Sequence, residues 1–260
     1  KKFVEINTYI MERSLKMPYN YKDSKERVDN ILSSKIKIEN KDKVPASDGE
    51  FTYSNGIRTW VGALFVDMVN SSKLCETADE NTARIFRAFC SEIIAIMKDD
   101  ENYRQIGIRG DCIYSINTTQ FQEDLVNMFR TAYRINTFIK MFNKQLVYYG
   151  YNSIKAGIGL GCDKELVIKA GQVGSGINDK IWIGKAVVEA CHLGDIANRN
   201  NIEPIAMSKC FFNNVHKMLE KENEKYKDWI KPYYSNSYTV DFYHCCIVQT
   251  DFDQWIEENC

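Results

Sequence analysis

The sequence predicts an α+β fold, one sheet layered with helices, on three observations. Strand-like and helix-like runs alternate along the chain, and two of the strands meet at a tight Gly110-Asp111 bend. No repeating strand–helix–strand pattern of a doubly wound parallel sheet runs through the rest. At 260 residues the chain is long enough for one large domain, and 44% hydrophobic with 27% charged residues is the balance of a soluble globular protein. Lys plus Arg (34) nearly cancels Asp plus Glu (35), so no bulk field favours nucleic acid or an anionic membrane. No apolar run reaches membrane-spanning length and no signal-peptide pattern opens the sequence, so a cytoplasmic location is expected. Nine cysteines occur without a CxxC pair (Cys75, Cys90, Cys112, Cys162, Cys191, Cys210, Cys245, Cys246 and Cys260). Most lie in apolar periodic segments, which reads as buried free thiols in a reducing compartment and no zinc site.

Residues 1–56 read as a polar N-terminal arm or strap, with a helical stretch around Lys22–Ser33, and residues 57–260 as the main domain. Pro45, Asp48, Gly49, Asn55 and Gly56 mark irregular chain before an apolar strand, Trp60–Met68. Phe86, Phe89, Cys90, Ile93, Ile94 and Met97 fall at helical spacing within 77–97. Strands Tyr103–Ile108 and Cys112–Ile116 follow. A helix then spans about Phe121–Leu146, with Thr119 and Gln122 resembling a capping box; its stripe is Leu125, Phe129, Ala132, Ile135, Ile139, Phe142 and Leu146. Ile154–Leu160 and Glu165–Lys169 read as two strands separated by Gly161. A glycine-rich stretch, 171–176, precedes a short apolar run, Ile181–Ile183. Gly184 opens a helix through Val187, Val188, Cys191, Leu193 and Ile196. Ile202–Ala206, a helix near Phe211–Leu219 and an aromatic strand Tyr238–Val248 complete the domain.

Two carboxylates carry the sharpest chemistry. Asp67 follows Leu64-Phe65-Val66 inside the apolar strand, where an unpaired charge is expensive. Gly110-Asp111 alone is ordinary turn chemistry. On adjacent strands, however, the two carboxylates call for a shared divalent cation with oxygen ligands, acting on a phosphate. Ser71-Ser72 are placed to cap the next helix, freeing Asp67, and the turn 69–72 aims N–H groups at an anion. The stretch 171–176 is not a Walker loop, since no Gly-Lys-Ser/Thr follows. His192, His216 and His244 stand apart from one another.

In this order the motifs resemble the class III nucleotidyl cyclases: Ala63-Leu64-Phe65-Val66-Asp67-Met68, Gly110-Asp111, then Ile181-Trp182-Ile183-Gly184-Lys185-Ala186-Val187. More closely they are similar to the pyrimidine cyclases of Pycsar antiphage defence, through Ser71-Ser72-Lys73-Leu74, Ile168-Lys169-Ala170-Gly171, 174–179 and the closing Tyr243-His244 and Trp255-Ile256-Glu257. The resemblance implies a class III cyclase-type sheet, a head-to-tail homodimer and active sites at its interface. Asp67, Asp111 and the main-chain carbonyl of Met68 would hold two Mg²⁺ or Mn²⁺ ions. UTP or CTP would become the 3′,5′-cyclic nucleotide plus pyrophosphate, a second messenger read by a separate effector protein. Ser71, Ser72, Lys169, Lys185 and His192 are the implied substrate contacts. Val188 stands where the family pattern has Asn, and His192 where it has a basic residue; a lost transition-state donor can cost on the order of a hundredfold in rate. Gly107 and Ile181 occupy the two purine-reading positions, which argues for a pyrimidine, UTP slightly ahead of CTP, with Arg58 as a candidate reader reaching across the dimer. The rival reading is a weakened cyclase-like module that binds nucleotide and dimerises.

Overall fold

A computed structural model describes residues 19–235 and 239–260. The arm reading therefore falls partly, and Tyr238 wholly, outside the described residues. Two compact units divide between Ile36 and Lys37, not at residue 56. Among its described residues the first contains one helix, α1 (Tyr21–Ser33), whose N-cap Asn20 side chain accepts from the Lys22 N–H. The second begins with β1 (Lys37–Asn40), paired in parallel with the start of β2 (Asn55–Met68). Val44 and Phe51 are buried with Ile57 and Val167, so this stretch is body and not strap.

The remaining elements are α2 (Ser71–Cys75), α3 (Glu80–Lys98), β3 (Tyr103–Arg109), β4 (Cys112–Thr118), α4 (Gln122–Tyr148), β5 (Ala156–Gly171), β6 (Asn178–Ile183), α5 (Lys185–Ile196), β7 (Ile205–Ser208), α6 (Lys209–Glu222), α7 (Tyr226–Trp229), β8 (Lys231–Tyr233), β9 (Phe242–Cys245) and α8 (Thr250–Asn259). Among the described residues they build one nine-stranded sheet in the order β3-β4-β2-β5-β7-β9-β8, with β1 on β2 and β6 on β5. Alternation along β2 puts Leu64, Val66 and Met68 into the main core with α3, α4 and α6. Ala63 and Phe65 point the other way, onto α5. Every residue of the α4 stripe read from the sequence is buried.

Several expectations are corrected. β5 runs unbroken through Gly161. Gly157, Gly159 and Gly161 recur at the strand period because α5 lies directly on them: a β-carbon at any of the three would run into the carbonyls of Gly194, Ala190 and Ala186. The same close approach turns the small residues Ala186, Ala190 and Gly194 inward and leaves Val188 66% exposed, so of the apolar stripe read on this helix only Leu193 is buried. Helix α4 starts at Gln122, where Asp124 Oδ2 accepts the Phe121 N–H at 2.8 Å; Thr119 takes no part. β9 is four residues long, not a strand through Val248. All nine cysteines are free, but only Cys162 and Cys245 are buried, against the expectation of buried thiols.

Candidate active site

Asp67 is the penultimate residue of β2, directly opposite Cys112 on β4 and Gly157 on β5. Asp111 precedes Cys112 in the two-residue turn joining β3 to β4, which Gly110 makes possible with φ +65°. The apolar strand thus delivers one carboxylate and the hairpin tip places the second beside it. Arg199, just beyond α5, donates from Nη2 to Asp67 Oδ2 at 2.7 Å, and its Nη1 is anchored on the Ala197 and Gly194 carbonyls at 3.1 and 3.3 Å. Both side chains of this pair are mostly buried, at 19% and 23% exposure. Burial raises the Asp67 carboxyl above the usual range; the Arg199 hydrogen bond pulls it down, and the charges of Asp111 and Asp195 push it further up. Three carboxylates here face one guanidinium, so negative charge remains for a cation to neutralise.

The donor chemistry sets which cation fits. Burial first, and then Asp67, push the Cys112 thiol up to about 12, so in the metal-free chain it is a neutral S–H. Among the described residues no three His, Cys, Asp or Glu side chains gather into a preformed metal cluster. Two carboxylates and a strand-end carbonyl are a hard, incomplete oxygen set. That suits Mg²⁺ or Mn²⁺ arriving with a phosphate and waters.

The other residues read from the sequence divide sharply. Met68, Ser71 and Ser72 follow Asp67 within five residues. Ser71 and Ser72 open α2 behind Asn70, a left-handed residue at φ 57°, and cap nothing; α3 is capped by Asp79, whose Oδ1 accepts the Thr82 N–H at 2.8 Å. Lys185 is exposed at the far, N-terminal end of α5, where its amide donates to Asp163 Oδ2 at 3.1 Å. His192 is exposed on the same helix. Lys169 Nζ stands 5.4 Å from the Tyr53 ring centroid. Arg58 is exposed at the opposite end of β2, nine residues and about 30 Å of strand from Asp67, with opposite alternation. One chain therefore gathers the carboxylates and keeps Lys185, Lys169 and Arg58 away from them. Arg199 went unread because nothing local in the sequence links it to Asp67; three asparagines around it with positive φ were the only hint of a constrained loop.

No family model matches the chain. The chain is 38% identical over 245 residues to a uridylate cyclase of Treponema porcinum, covering 93% of this chain and 82% of that one. It is 27% identical over 262 residues to a uridylate cyclase of Gulbenkiania mobilis, covering 95% and 99%. In structure it is similar to an adenylyl cyclase of P. aeruginosa, with a TM-score of 0.59 and 17% identity over 75% of this chain and 98% of that one, a likeness of fold.

Proposed function

From its membership of the class III nucleotidyl cyclases, the family to which this chain belongs, we propose that it converts UTP into 3′,5′-cyclic UMP and pyrophosphate. The observation that carries this is the mostly buried Asp67 carboxylate at a strand end with Asp111 on the neighbouring hairpin tip. The carboxylates of Asp67 and Asp111 and the main-chain carbonyl of Met68 would hold Mg²⁺ or Mn²⁺. Two such ions, when bound, lower the pKa of the ribose 3′-hydroxyl and neutralise triphosphate charge. The 3′-oxygen bonds to the α-phosphorus, the bond from that phosphorus to the β-phosphate oxygen breaks, and the hydroxyl proton passes to water. Arg199 keeps Asp67 oriented and partly neutralised before substrate arrives. Ser71 and Ser72 would meet the phosphates from the same chain. Lys185 and Lys169, remote from Asp67 here, and His192 would serve from a second copy in a head-to-tail homodimer, and Arg58 would read the base only from there. The charge they bring matters because positioning and electrostatics do most of the work of phosphoryl transfer.

The names of the curated relatives favour UTP over CTP. The pyrimidine-cyclase resemblance supports a role as second-messenger synthase in antiphage defence, the product being read by a separate effector. A second reading, a nucleotide-binding dimerisation module without turnover, draws on the exposed Val188 and on the Arg199 grip on Asp67. Incubating the protein with each of the four nucleoside triphosphates and Mn²⁺, with products identified by mass spectrometry, separates the two. Cyclic UMP from the unaltered chain and none from Asp67→Ala or Asp111→Ala is the expected outcome. Activity surviving in either variant, or no cyclic product from the unaltered chain, would contradict it.

A further inference from the structure

Cys162 and Cys210 lie 48 residues apart in sequence, yet their sulfurs stand 3.0 Å from each other. That is about 1 Å longer than a disulfide bond. The topology brings them together. β5 and β7 pair in parallel as far as Leu160 opposite Met207, so the chain leaving β7 for α6 arrives at the level of Cys162. Cys162 is buried in the main core with Leu160 and Phe211, and Cys210, the second residue of α6 after its N-cap Ser208, is only partly buried. Cys162 pairs with Gly62 and shares the face of Leu64 and Val66, whereas Asp67 alternates to the α5 side with Phe65. The two sulfurs and the Asp67 carboxylate therefore lie on opposite faces of the sheet.

The two thiols are not equivalent. Cys162 donates its S–H to the Cys210 sulfur, and Asn214 Nδ2 donates to that same sulfur at 3.8 Å. The first turn of α6 adds the positive end of the helix dipole. The Cys162 hydrogen bond pulls the Cys210 thiol below its usual range against burial and the charges of Asp163 and Glu189, with Asn214 assisting. The Cys162 thiol is pushed up by the same hydrogen bond and then by burial. Thiolate therefore forms first on the sulfur that solvent can reach.

We propose that Cys210 and Cys162 form a peroxide-oxidised dithiol, with Cys210 the attacking residue and Cys162 the resolving one. The Cys210 thiolate bonds to one oxygen of the peroxide, the O–O bond breaks and hydroxide leaves, so the cysteine becomes a sulfenic acid. The Cys162 sulfur then attacks the Cys210 sulfur. The S–O bond breaks, and the departing hydroxide takes the Cys162 proton and leaves as water. With the two sulfurs already in contact, this second step precedes further oxidation of Cys210. The bridge ties β5 to α6 and closes a loop that holds β6, α5 and β7, which restricts the unfolded chain. A small thiol reverses it by exchange.

The test treats the full chain with a small excess of hydrogen peroxide and maps its disulfides by mass spectrometry of unreduced digests. Expected are a peptide joining residue 162 to residue 210 and a melting temperature raised by several degrees, which dithiothreitol returns to its starting value. In Cys162→Ala, Cys210 should stop at the sulfenic acid and be captured by dimedone. In Cys210→Ser, no bridge and no dimedone adduct on Cys162 should form. Bridges confined to the exposed Cys75, Cys191, Cys246 and Cys260, or no bridge at all, would overturn the proposal. Dimedone on Cys162 in Cys210→Ser, with none on Cys210 in Cys162→Ala, would overturn the assignment of the two roles. A 162–210 bridge that leaves the melting temperature unchanged would refute its action as a staple. Should Cys162→Ala fail to fold, the map of the unaltered chain still decides whether the pair is oxidised.

Discussion

Asp67 shows how a site can cost its fold. Burial and the neighbouring Asp111 and Asp195 charges outweigh the hydrogen bond from Arg199, so the folded chain holds the Asp67 proton more tightly than the unfolded chain does. The sign of the linkage follows. Without a cation, the contribution of Asp67 is most favourable at low pH and is lost as pH rises through its raised pKa. A cation needs the ionised carboxylate, so its binding strengthens over that same window and releases a proton. Asp67→Asn keeps an acceptor for Arg199 and removes the buried charge. At neutral pH the variant is expected to melt at a higher temperature than the unaltered chain in chelator, and to gain nothing from Mn²⁺ with UTP, while the unaltered chain gains several degrees. A variant that melts lower in chelator would contradict this reading of the charge balance. Asp67 was legible in the sequence because a carboxylate after Leu64-Phe65-Val66 breaks the polarity of its own strand. Arg199 was not, since a contact made through tertiary packing leaves no local pattern.

At the scale of the element, α5 is held by the strand beneath it. Its N-cap is Gly184, which has no side chain to offer, so β5 supplies the caps: Asp163 Oδ2 accepts the Lys185 N–H and Glu165 Oε1 accepts the Val187 N–H at 3.2 Å. Glu165 is wholly buried, its Oε2 has no hydrogen-bond partner, and burial raises its pKa against the pull of the Val187 and Ala186 amides. The neutral acid is thus favoured in the fold, and its contribution declines as pH rises through that raised pKa. Glu165→Gln retains an acceptor and should shift the denaturation free energy by less than about 1 kcal/mol. Glu165→Ala removes the cap and leaves a cavity, with an expected loss of about 2 kcal/mol or more by urea unfolding. Equal losses in both variants would show that the cap is not what Glu165 provides. The glycines of β5 were visible in the sequence, but Gly161 was read as a strand break. Period-two glycines signal a helix seated on the strand, and only the packing of Ala186, Ala190 and Gly194 distinguishes that from a turn.

At the scale of the molecule, the sheet layered with helices was legible from hydrophobic periodicity, most fully in α4, whose whole stripe is buried. The boundary at residue 56 was not, because β1 joins the sheet through parallel pairing with β2 and carries little apolar pattern of its own. Among the described residues no helix is long and apolar enough to cross a membrane. The arrangement that bears most on function is the separation of the anionic pair, Asp67 and Asp111, from Lys185 at the other end of α5 and from Lys169 beside Tyr53. A complete site on the proposed account takes its carboxylates from one copy and its helix residues from another, as a symmetric dimer with two equivalent interface sites requires. The measurement that tests this most directly is subunit complementation. Chains carrying Asp67→Ala and chains carrying Lys185→Ala with His192→Ala, each inactive alone, are mixed and assayed for cyclic UMP formation with Mn²⁺. The account predicts recovered activity corresponding to about one functional site per heterodimer. Mixed dimers demonstrated by native mass spectrometry yet inactive would contradict it.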